Sequence, residues 1–552
     1  MKKIVARRSA AALTGAALLG SALAVSTLTP ATAAPASTPV PVPEAQAAAA
    51  WLASQVSASG LLTYQSYGST YADTGLSIDT AMVLQALGTQ TSTIATIGTG
   101  VAGATSYGAH SSYTDTWTDP DHPATIESTA SNALAKKVVG LQVAAPAAAV
   151  LPALVSDLEG VTDAAGRISD GATRDGVADA GSNYENIFGQ AFAARALINA
   201  SSSEGSAALT YLLAQQCSDG WFAEGLAASG SAATCDAGTA APSVGGTATA
   251  VVQLVGLKAK AGAQETAVTN AIAKAASWLA TAQADNGSFG AGGTFVANAN
   301  DTGLAGWALG LAGRSADAAQ AATWIAAHQV QGIGVCTSAK LKADIGAIAY
   351  DDEALADGGT YGIDDVSRGQ WLRSSGQSVA ALAYLPATAP KLTTTTAYVA
   401  AGRATRVTVA GLRSAQQACV TGAKAAVKVS ANGALTVTAP AGTATRTLTL
   451  STVGGTTTAK LKVLGAATLK VTSTSKVKRG TKITVTIKRL AAGEKVTLKL
   501  AGKKIGTATA TSSGKAVIKV KVAKKTSAGT KKLSVVGQFA NRVGSTKIKV
   551  TR

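Results

Sequence analysis

Histidine and aromatic side chains are scarce in this chain of 552 residues. It contains three histidines, and phenylalanine, tryptophan and tyrosine together make up 4% of the residues. Catalytic zinc sites usually include histidine ligands, and Ser–His or Cys–His nucleophiles need a histidine partner. None of His110, His122 and His328 has a cysteine at a zinc-site spacing, and no nucleophile-elbow motif is present. The sequence therefore argues against a zinc enzyme and a histidine-dependent hydrolase. We predict no cofactor and single out no catalytic residue.

Acidic residues are almost absent from the end of the chain. Residues 390–552 contain 31 lysines and arginines and a single acid, Glu494, which gives a net charge of +30. The whole chain carries +18, so the remainder carries −12. A basic tail of this kind attracts polyanions of any class, including nucleic acid, anionic lipid and wall polymers.

Long apolar runs are missing after the N-terminus. Basic residues within 2–8 precede an apolar run at 10–25, and residues 31–33 offer a small-residue cleavage site. This pattern is typical of a secretory signal peptide, here residues 1–33. A membrane anchor is disfavoured because the run is short and diluted by glycine and serine. We therefore expect an exported protein with no integral membrane segment after cleavage, which argues against nucleic acid as its partner.

A short unit recurs between residues 45 and 387. The copies are Trp51-Leu52 with Gly60, Tyr211-Leu212 with Gln216 and Gly220, Trp278-Leu279 with Gln283 and Gly287, and Trp324-Ile325 with Gln329, Gly332 and Gly334. Each unit predicts a helix that a glycine turn ends and a second, more apolar helix follows. Small residues crowd the second helices, so we expect them to form an inner ring inside an outer ring of amphipathic helices. The predicted second helices include 78–88, 187–197, 246–257, 302–311 and 370–385.

The aromatic-Leu-x-x-x-Gln-x-x-x-Gly unit resembles the repeat of the prenyltransferase and squalene-cyclase superfamily. The stretches 71–79, 166–170, 183–190, 216–222 and 298–304 further resemble exported actinobacterial proteins with that repeat. The resemblance implies a terpenoid-cyclase-like (α/α)6 toroid, and a secreted or surface location on a Gram-positive, actinobacterial cell. It implies no activity, because one fold hosts many activities.

The pattern of apolar and polar residues changes after residue 390. Period-2 alternation of threonine, valine and lysine between glycine turns predicts half-buried strands. Two all-β modules fit, at 390–466 and 467–552, and the second, more basic one resembles the Ig-like domains of bacterial surface proteins. Residues 34–44 are rich in proline and alanine and predict a flexible leader. The fold class is therefore multidomain: an all-α toroid at 45–387 followed by two Ig-like sandwiches.

The four cysteines form an even number, which favours disulfides in an exported protein. Cys217 and Cys235 flank a glycine-rich loop, so we expect them to pair. Cys336 and Cys419 would then join the helical region to the first β module, although both could stay reduced.

Acids and asparagines at the starts of the inner helices form the candidate ligand site. They are Asp73, Asp79, Asn186, Asn300 and Asp301. In a toroid they would lie near one end of the ring and could hold a ligand or a cation. Aspartate and asparagine are also good N-caps, and capping alone would explain them. The candidate aromatic walls are Tyr64, Tyr67, Tyr71, Tyr184, Trp221, Tyr350 and Tyr361.

Two acid clusters, at 350–353 and 363–366, bear on catalysis. Triterpene cyclases of the resembled superfamily protonate an alkene with an Asp-x-Asp-Asp cluster, and neither stretch reproduces it. Asp351 is retained as a ligand-site candidate. The acidic, aromatic loop at 113–121 could line a sugar or calcium site or be a solvated surface loop.

Three functions remain open from the sequence. The first is a non-enzymatic cell-envelope protein that binds an extracellular ligand or partner through the toroid and anionic wall polymers through the basic modules. The second is a secreted enzyme acting on carbohydrate or isoprenoid material, with acids such as Asp73, Asp79, Asp351 and Asp352 as acid–base groups. The third is a carrier of a small, cofactor-sized ligand, because vertebrate cobalamin carriers also resemble this barrel.

Overall fold

The computed structural model describes most of the chain. The described residues are 42–66, 68–104, 117–118, 125–179, 181, 183–232, 235, 240–291 and 296–552. The predicted signal peptide, most of the predicted leader, Tyr67, His110, His122 and nearly all of the loop 113–121 lie outside them. The first helix begins at Pro43, so the last two residues assigned to the leader are helical.

Helices fill the first part of the described chain. They are α1 Pro43–Gln55, α2 Thr74–Ala86, α3 Thr91–Gly103, α4 Ser131–Ala144, α5 Leu151–Gly160, α6 Ile187–Ala200, α7 Gly205–Ala214, α8 Val244–Leu257, α9 Glu265–Ala282, α10 Ala299–Leu311, α11 Ser315–Ala327, α12 Asp352–Tyr361 and α13 Arg368–Ser378. A 3₁₀ helix, Val379–Tyr384, continues α13. Short strands between the helices are β1 Leu62–Ser66, β2 Ser69–Asp73, β3 Trp117–Thr118, β4 Thr125–Glu127, β5 Thr173–Arg174, β6 Val177–Ala178, β7 Phe222–Ala223, β8 Pro242–Ser243, β9 Gly290–Ala291 and β10 Val296–Ala297.

Six helices contact one another in a closed cycle. Helix α2 contacts α4, α4 contacts α6, α6 contacts α8, α8 contacts α10, α10 contacts α13, and α13 contacts α2. These inner helices are rich in small side chains, and α8 is buried along most of its length. Helices α3, α5, α7, α9 and α11 each contact one or two helices of this cycle. We call these five the outer helices and the six of the cycle the inner helices.

Gln283 and Gly287 show what the repeated glutamine and glycine do. The Gln283 amide Nε2 donates to the carbonyl oxygens of Gly287 in its own turn and of Asp317 in α11, both at 3.0 Å. Gly287 has a φ of +89°, and a Cβ there would lie 2.5 Å from the carbonyl oxygen of Gln320, also in α11. Both the conformation and the close approach require glycine, and the turn ties one outer helix to the next.

A further hydrogen bond recurs in five turns of the described helical region, including the turn of Gly287. Two residues after the turn glycine, a buried backbone N–H donates to a side chain of an inner helix at 2.9–3.0 Å. The donor–acceptor pairs are Leu62 with Ser77, Ile168 with Gln190, Phe222 with Thr247, Phe289 with Thr302, and Ile348 with Ser375. Each turn therefore fixes the helix that precedes it to an inner helix.

The turn glycine of the fourth repeat is not the one that the spacing of the other repeats predicts. We expected Gly332 or Gly334 to follow Gln329. Instead the Gln329 amide donates to the carbonyl oxygen of Gly346 at 3.3 Å, and Gly346 makes the close approach to α1. Residues 330–345 lie between Gln329 and Gly346, whereas three residues lie between Gln283 and Gly287, and this insertion carries Cys336 of the second disulfide.

The C-terminal part of the chain consists of strands. The first module contains β11 Lys391–Thr394, β12 Val399–Ala400, β13 Ala404–Ala410, β14 Ala418–Thr421, β15 Val427–Val429, β16 Gly433–Thr438, β17 Ala444–Thr452 and β18 Gly455–Leu464. The second contains β19 Ala467–Thr468, β20 Lys470–Thr472, β21 Lys476–Lys478, β22 Lys482–Lys488, β23 Lys495–Leu500, β24 Lys503–Thr509, β25 Ala516–Lys521, β26 Gly529–Val536 and β27 Arg542–Thr551.

Both modules have the same strand order. The first pairs β11-β13-β16 in one sheet and β12-β18-β17-β14-β15 in the other. The second pairs β20-β22-β25 in one sheet and β19-β27-β26-β23-β24 in the other, where β21 also pairs with β27 and corresponds to β12 of the first module. The short strands β12 and β21 run parallel to the last strand of their module. Alternate residues of both sheets meet in one core per module, for example Val485 from β22 with Leu498 and Leu533 from the opposite sheet. This order and packing are those of an Ig-like sandwich.

Two disulfides are formed. Cys217 pairs with Cys235, as predicted, and Cys336 pairs with Cys419 of β14 with their Cα atoms 5.7 Å apart. The second bridge joins the helical region to the first β module, and it decides between the bridged and reduced alternatives that the sequence left open. A buried ion pair between Glu44 of α1 and Arg413 supports the same junction. Disulfides of this kind are typical of exported proteins.

Candidate functional site

A cavity of about 380 Å³ lies among the inner helices, and all six of them contribute to its lining. This volume is within the range of about 300–1,000 Å³ that is usual for small-molecule sites. Its apolar wall is formed by Met82, Val83, Ala133, Phe188, Phe192, Val252, Leu304 and Trp307. Its polar groups are Asp79, Asn132, Lys136, Asn186, Thr249, Gln253 and Gln377.

Asp79 is the candidate acid that reaches this cavity. It lies in the second turn of α2, beyond the helix start where its sequence position had grouped it with Asp73. Its carboxylate forms an ion pair of 2.8 Å with the Lys136 ammonium, and each side chain is about one-fifth exposed. The same ammonium lies 5.9 Å from the centre of the Phe192 ring. The charge of Asp79 is therefore balanced within the cavity wall.

Asn186 also lines the cavity, and it caps α6. Its Oδ1 accepts from the backbone N–H groups of Phe188 and Gly189 at 3.1 and 3.2 Å. Its own backbone N–H donates to Oδ1 of Asn132, whose amide Nδ2 donates to the carbonyl of Tyr184 at 2.7 Å. The two asparagines hold the starts of α4 and α6 together at the cavity rim.

Two other candidate acids act as helix caps and do not line the cavity. Asp73 accepts from the backbone N–H of Leu76 at 2.8 Å and pairs with Arg373 at 3.3 Å. Asp351 accepts from the backbone N–H of Ala354 at 2.8 Å at the start of α12. Both contacts follow the capping alternative that the sequence left open.

Asp301 lies near the start of α10 in a buried setting. Burial raises the pKa of its carboxyl group, although hydrogen bonds from the Asn298 side chain and the Gly245 backbone oppose the rise. Burial also raises the pKa of Tyr350, with further contributions from the negative charges of Asp301 and Asp351. The neighbouring Asn300 has a buried Oδ1 with no hydrogen-bond partner in the described structure. These residues form a cluster at the start of α10, and none of them lines the cavity.

The remaining aromatic residues that were predicted to line the ligand site lie in different parts of the structure. Tyr64 and Tyr71 stack on each other across the β1–β2 hairpin with ring centres 5.7 Å apart, and both are exposed. Tyr184 and Tyr361 are about three-quarters exposed. Trp221 is buried against the Cys217–Cys235 disulfide. The structure therefore brings Asp79 and Asn186 together in the cavity and places these aromatic candidates elsewhere.

Several cavity residues were missed by the sequence interpretation. Asn132 and Lys136 belong to α4, an inner helix that was not recognised. Gln253, Trp307 and Gln377 lie on helices that were recognised but had no motif to distinguish them. The one available signal was a polar or charged residue within an otherwise apolar inner helix, as Gln253 is within the buried helix α8.

The second β module presents lysine on both of its sheets. On the β20-β22-β25 sheet, Lys470 is directly opposite Lys488, and Lys482 is opposite Lys521. On the other sheet, Lys532 is opposite Lys547, and Lys476 is opposite Lys549. All eight side chains are at least partly exposed. Like charges that lie opposite each other destabilise a sheet, so these lysine pairs are not explained by strand pairing.

The single acid of residues 390–552 does not reduce this surface charge. Glu494 is fully buried and forms an ion pair with Arg542, which is 2% exposed. Arg542 also donates to the carbonyl of Gly465, between the two modules, at 2.8 Å. Glu494 is therefore part of the module junction, and the module surfaces carry cationic side chains without acidic ones.

Neither a metal cluster nor a membrane-spanning helix adds to the site within the described residues. No group of three or more histidine, cysteine, aspartate or glutamate residues is placed to hold a metal ion in the part of the chain that is described. Within the same residues, no helix is both long and apolar enough to cross a membrane.

Comparison with known proteins gives only distant matches. No family model matches the chain, and no curated protein matches it. A protein from Actinoplanes is similar at 15% identity and a TM-score of 0.38, over 60% of this chain and 98% of that one. A putative membrane anchored protein from Corynebacterium diphtheriae is similar at 16% identity and a TM-score of 0.14, over 30% of this chain and 53% of that one. The titin fragment I67–I69 matches 30% of this chain and 66% of its own length at 14% identity and a TM-score of 0.20. These scores support no assignment of function.

Proposed function

We propose that this is an exported, non-enzymatic protein of a Gram-positive cell envelope. Its helical region is a terpenoid-cyclase-like α/α toroid that binds an extracellular ligand in the central cavity. Its basic Ig-like modules hold it on anionic wall polymers. The observation that carries the proposal is the surface of the second module, where lysines face each other across strands, together with the burial of the only acid of both modules.

The charge distribution supports retention by a polymer. Exposed lysines repeat along both sheets of the second module, so a flexible polyanion could contact several of them at once. Each contact is weak by itself, because exposed charges are screened by water and salt. Many contacts along one chain add together, and a polymer with repeated phosphate or carboxylate groups fits this geometry better than a single small anion.

The test of this retention is sedimentation of the full-length mature protein with purified Gram-positive cell walls. We expect binding at low salt and its loss in 1 M salt, where the Debye length is about 3 Å. We also expect loss when the anionic polymers are chemically removed from the walls. Binding that persists after either treatment would contradict the proposal.

Matched variants test whether wall binding depends on this surface or on the net charge alone. The first variant changes three lysines of the second module to glutamine, namely Lys482, Lys519 and Lys521. The control changes three exposed lysines of the helical region to glutamine, namely Lys274, Lys340 and Lys342. Both variants lose the same charge. We expect the first to bind the walls several-fold more weakly than the control, and equal binding would oppose the assignment.

The cavity supports ligand binding more directly than catalysis. Asp79 is the only carboxylate in its described lining, and Lys136 neutralises it. Glycoside hydrolysis by the common mechanisms needs two carboxyl groups on either side of the scissile bond, and the described cavity does not assemble such a pair. The apolar wall with a few polar groups suits a small carried ligand, which keeps the carrier alternative within the proposal.

A further inference from the structure

A second cavity, of about 170 Å³, adjoins the first one along the inner helices. Met82, Val252 and Trp307 line both cavities. The second cavity is lined further by residues nearer the C-terminal ends of the same helices, including Arg195 of α6 and Gly256 of α8. Arg195 is nine residues after Asn186 of the first cavity, which corresponds to a rise of about 13 Å along the helix. The two cavities therefore adjoin at Met82, Val252 and Trp307, and we call the pair of them the passage.

Arg195 is the arginine of the described helical region that has no carboxylate partner. The other arginines there each form an ion pair, namely Arg167 with Glu185, Arg174 with Asp179, Arg314 with Asp317, Arg368 with Asp344, and Arg373 with Asp73. A guanidinium group has five N–H donors. Within the described residues, that of Arg195 makes one hydrogen bond, from Nη1 to Oε1 of Gln253 at 2.9 Å.

The guanidinium group of Arg195 is also partly desolvated, because the residue is half-buried. Its Nε is buried and has no hydrogen-bond partner in the described structure. Gly256 lets the group lie against α8, because a Cβ there would be 2.5 Å from the guanidinium carbon. A cation that has lost part of its water without gaining a counter-charge is destabilised. An anionic group of a ligand would supply the missing charge and accept the unused N–H donors.

Gln253 connects this cation to the main cavity. Its side chain lines the first cavity and accepts the hydrogen bond from Arg195, which lines the second. The wall between the two contains Met82, whose unbranched side chain adapts readily to a bound molecule. A ligand with an apolar body in the first cavity could therefore place its anionic end beside Arg195.

We propose that the passage binds an amphipathic acid, with its apolar body against the inner helices and its carboxylate on Arg195. This inference rests on the proposed function, because it names the chemical class of the ligand in the same cavity. It goes beyond that function by assigning Arg195 as the residue that selects an anionic over a neutral ligand.

The experiment compares decanoate with decanol as probes of the full-length mature protein by titration calorimetry. The two molecules share an apolar chain and differ in the charge of the head group. We expect decanoate to bind at least tenfold more tightly than decanol. Equal binding, or tighter binding of decanol, would overturn the role of Arg195 while leaving a cavity that binds ligands. Binding of neither probe would overturn this inference and count against ligand binding in the cavity.

Variants of Arg195 test whether its charge causes the preference for decanoate over decanol. In Arg195→Gln we expect decanoate to bind as weakly as decanol, with decanol unchanged, whereas Arg195→Lys should keep part of the preference. The control is Arg314→Gln, an exposed arginine outside both cavities, which should behave as the wild type. A decanoate preference that survives in a folded Arg195→Gln would overturn the proposal. The wild-type comparison needs no variant, so the test holds even if Arg195→Gln does not fold.

Discussion

At the scale of single residues, similar side chains near the same helix ends have different roles. Asp73 and Asn186 cap helices, as their positions before apolar helical runs indicated. Asp79 lies six residues after Asp73 and reaches the cavity, where Lys136 neutralises it. The sequence could predict capping, because capping depends on local position. It could not predict the pairing of Asp79 with Lys136, because that depends on the packing of α2 against α4.

Asp301 gives a prediction about pH. Because burial raises the pKa of its carboxyl group, the folded state holds this proton more tightly than the unfolded state. The free energy of unfolding should then fall as the pH rises from the ordinary aspartate pKa to the raised value. Asp301→Asn cannot titrate, so we expect its melting temperature to lack this fall when it is measured from acid to neutral pH.

Asp364→Asn is the matched control for this measurement. Hydrogen bonds from the side chain and backbone of Ser367 lower the pKa of the Asp364 carboxyl group. The contribution of Asp364 therefore has the opposite sign, and it is lost as the pH falls. Parallel curves of melting temperature against pH for the wild type and Asp301→Asn would contradict the account of Asp301.

At the scale of elements, the repeat was predictable where its parts are close in sequence. Gln283 and Gly287 are four residues apart and act together, as the spacing indicated. The insertion at 330–345 separates Gln329 from its turn glycine, so the spacing pointed to the wrong glycines. Helix α4 was missed as an inner helix because its adjacent Lys136 and Lys137 favour an exposed helix. In the structure Lys136 faces the cavity, and Lys137 donates to the carbonyl of Ala104.

Gly287→Ala tests the contact between the turn and the next outer helix. The substitution places a Cβ 2.5 Å from a backbone oxygen, at a φ of +89°. We expect it to lower the free energy of unfolding by about 3 kcal/mol, which exceeds the cost of about 1–2 kcal/mol for the left-handed conformation alone. The measurement is chemical denaturation of the full chain.

Gly313→Ala provides the comparison for Gly287→Ala. Gly313 has a similar φ of +82°, but no atom lies within 4 Å of the position that an alanine Cβ would occupy there. We expect it to cost only the conformational part, about 1–2 kcal/mol. If both substitutions cost the same, the close approach of Gly287 to α11 contributes nothing to stability.

At the scale of the whole molecule, the order of the parts was predictable and their junctions were only partly so. The change from helical to alternating patterns indicated a helical region followed by two Ig-like modules. The even number of cysteines allowed the bridge between Cys336 and Cys419, which is formed. The buried pairs of Glu44 with Arg413 and of Glu494 with Arg542 had no local signal, because their partners are far apart in the sequence.

The acidic and basic parts of the chain fit a division of roles. The helical region encloses a cavity and balances most of its arginines with carboxylates. The second β module leaves its lysines without acidic neighbours on the surface. In the proposed function, the first part holds the ligand and the second holds the polymer. The role proposed for the helical region and the role proposed for Arg195 both depend on one central claim, that the cavity among the inner helices binds a small molecule.

Native mass spectrometry of the mature protein, secreted by an actinobacterial host and kept at low salt, tests this claim most directly. The comparison is with Thr249→Trp, which fills the cavity, and with Thr269→Trp, an exposed position on α9. We predict a bound small molecule in the wild type and in Thr269→Trp, and its absence from a folded Thr249→Trp. A wild type without any bound mass, or the same bound mass in all three proteins, would contradict the claim.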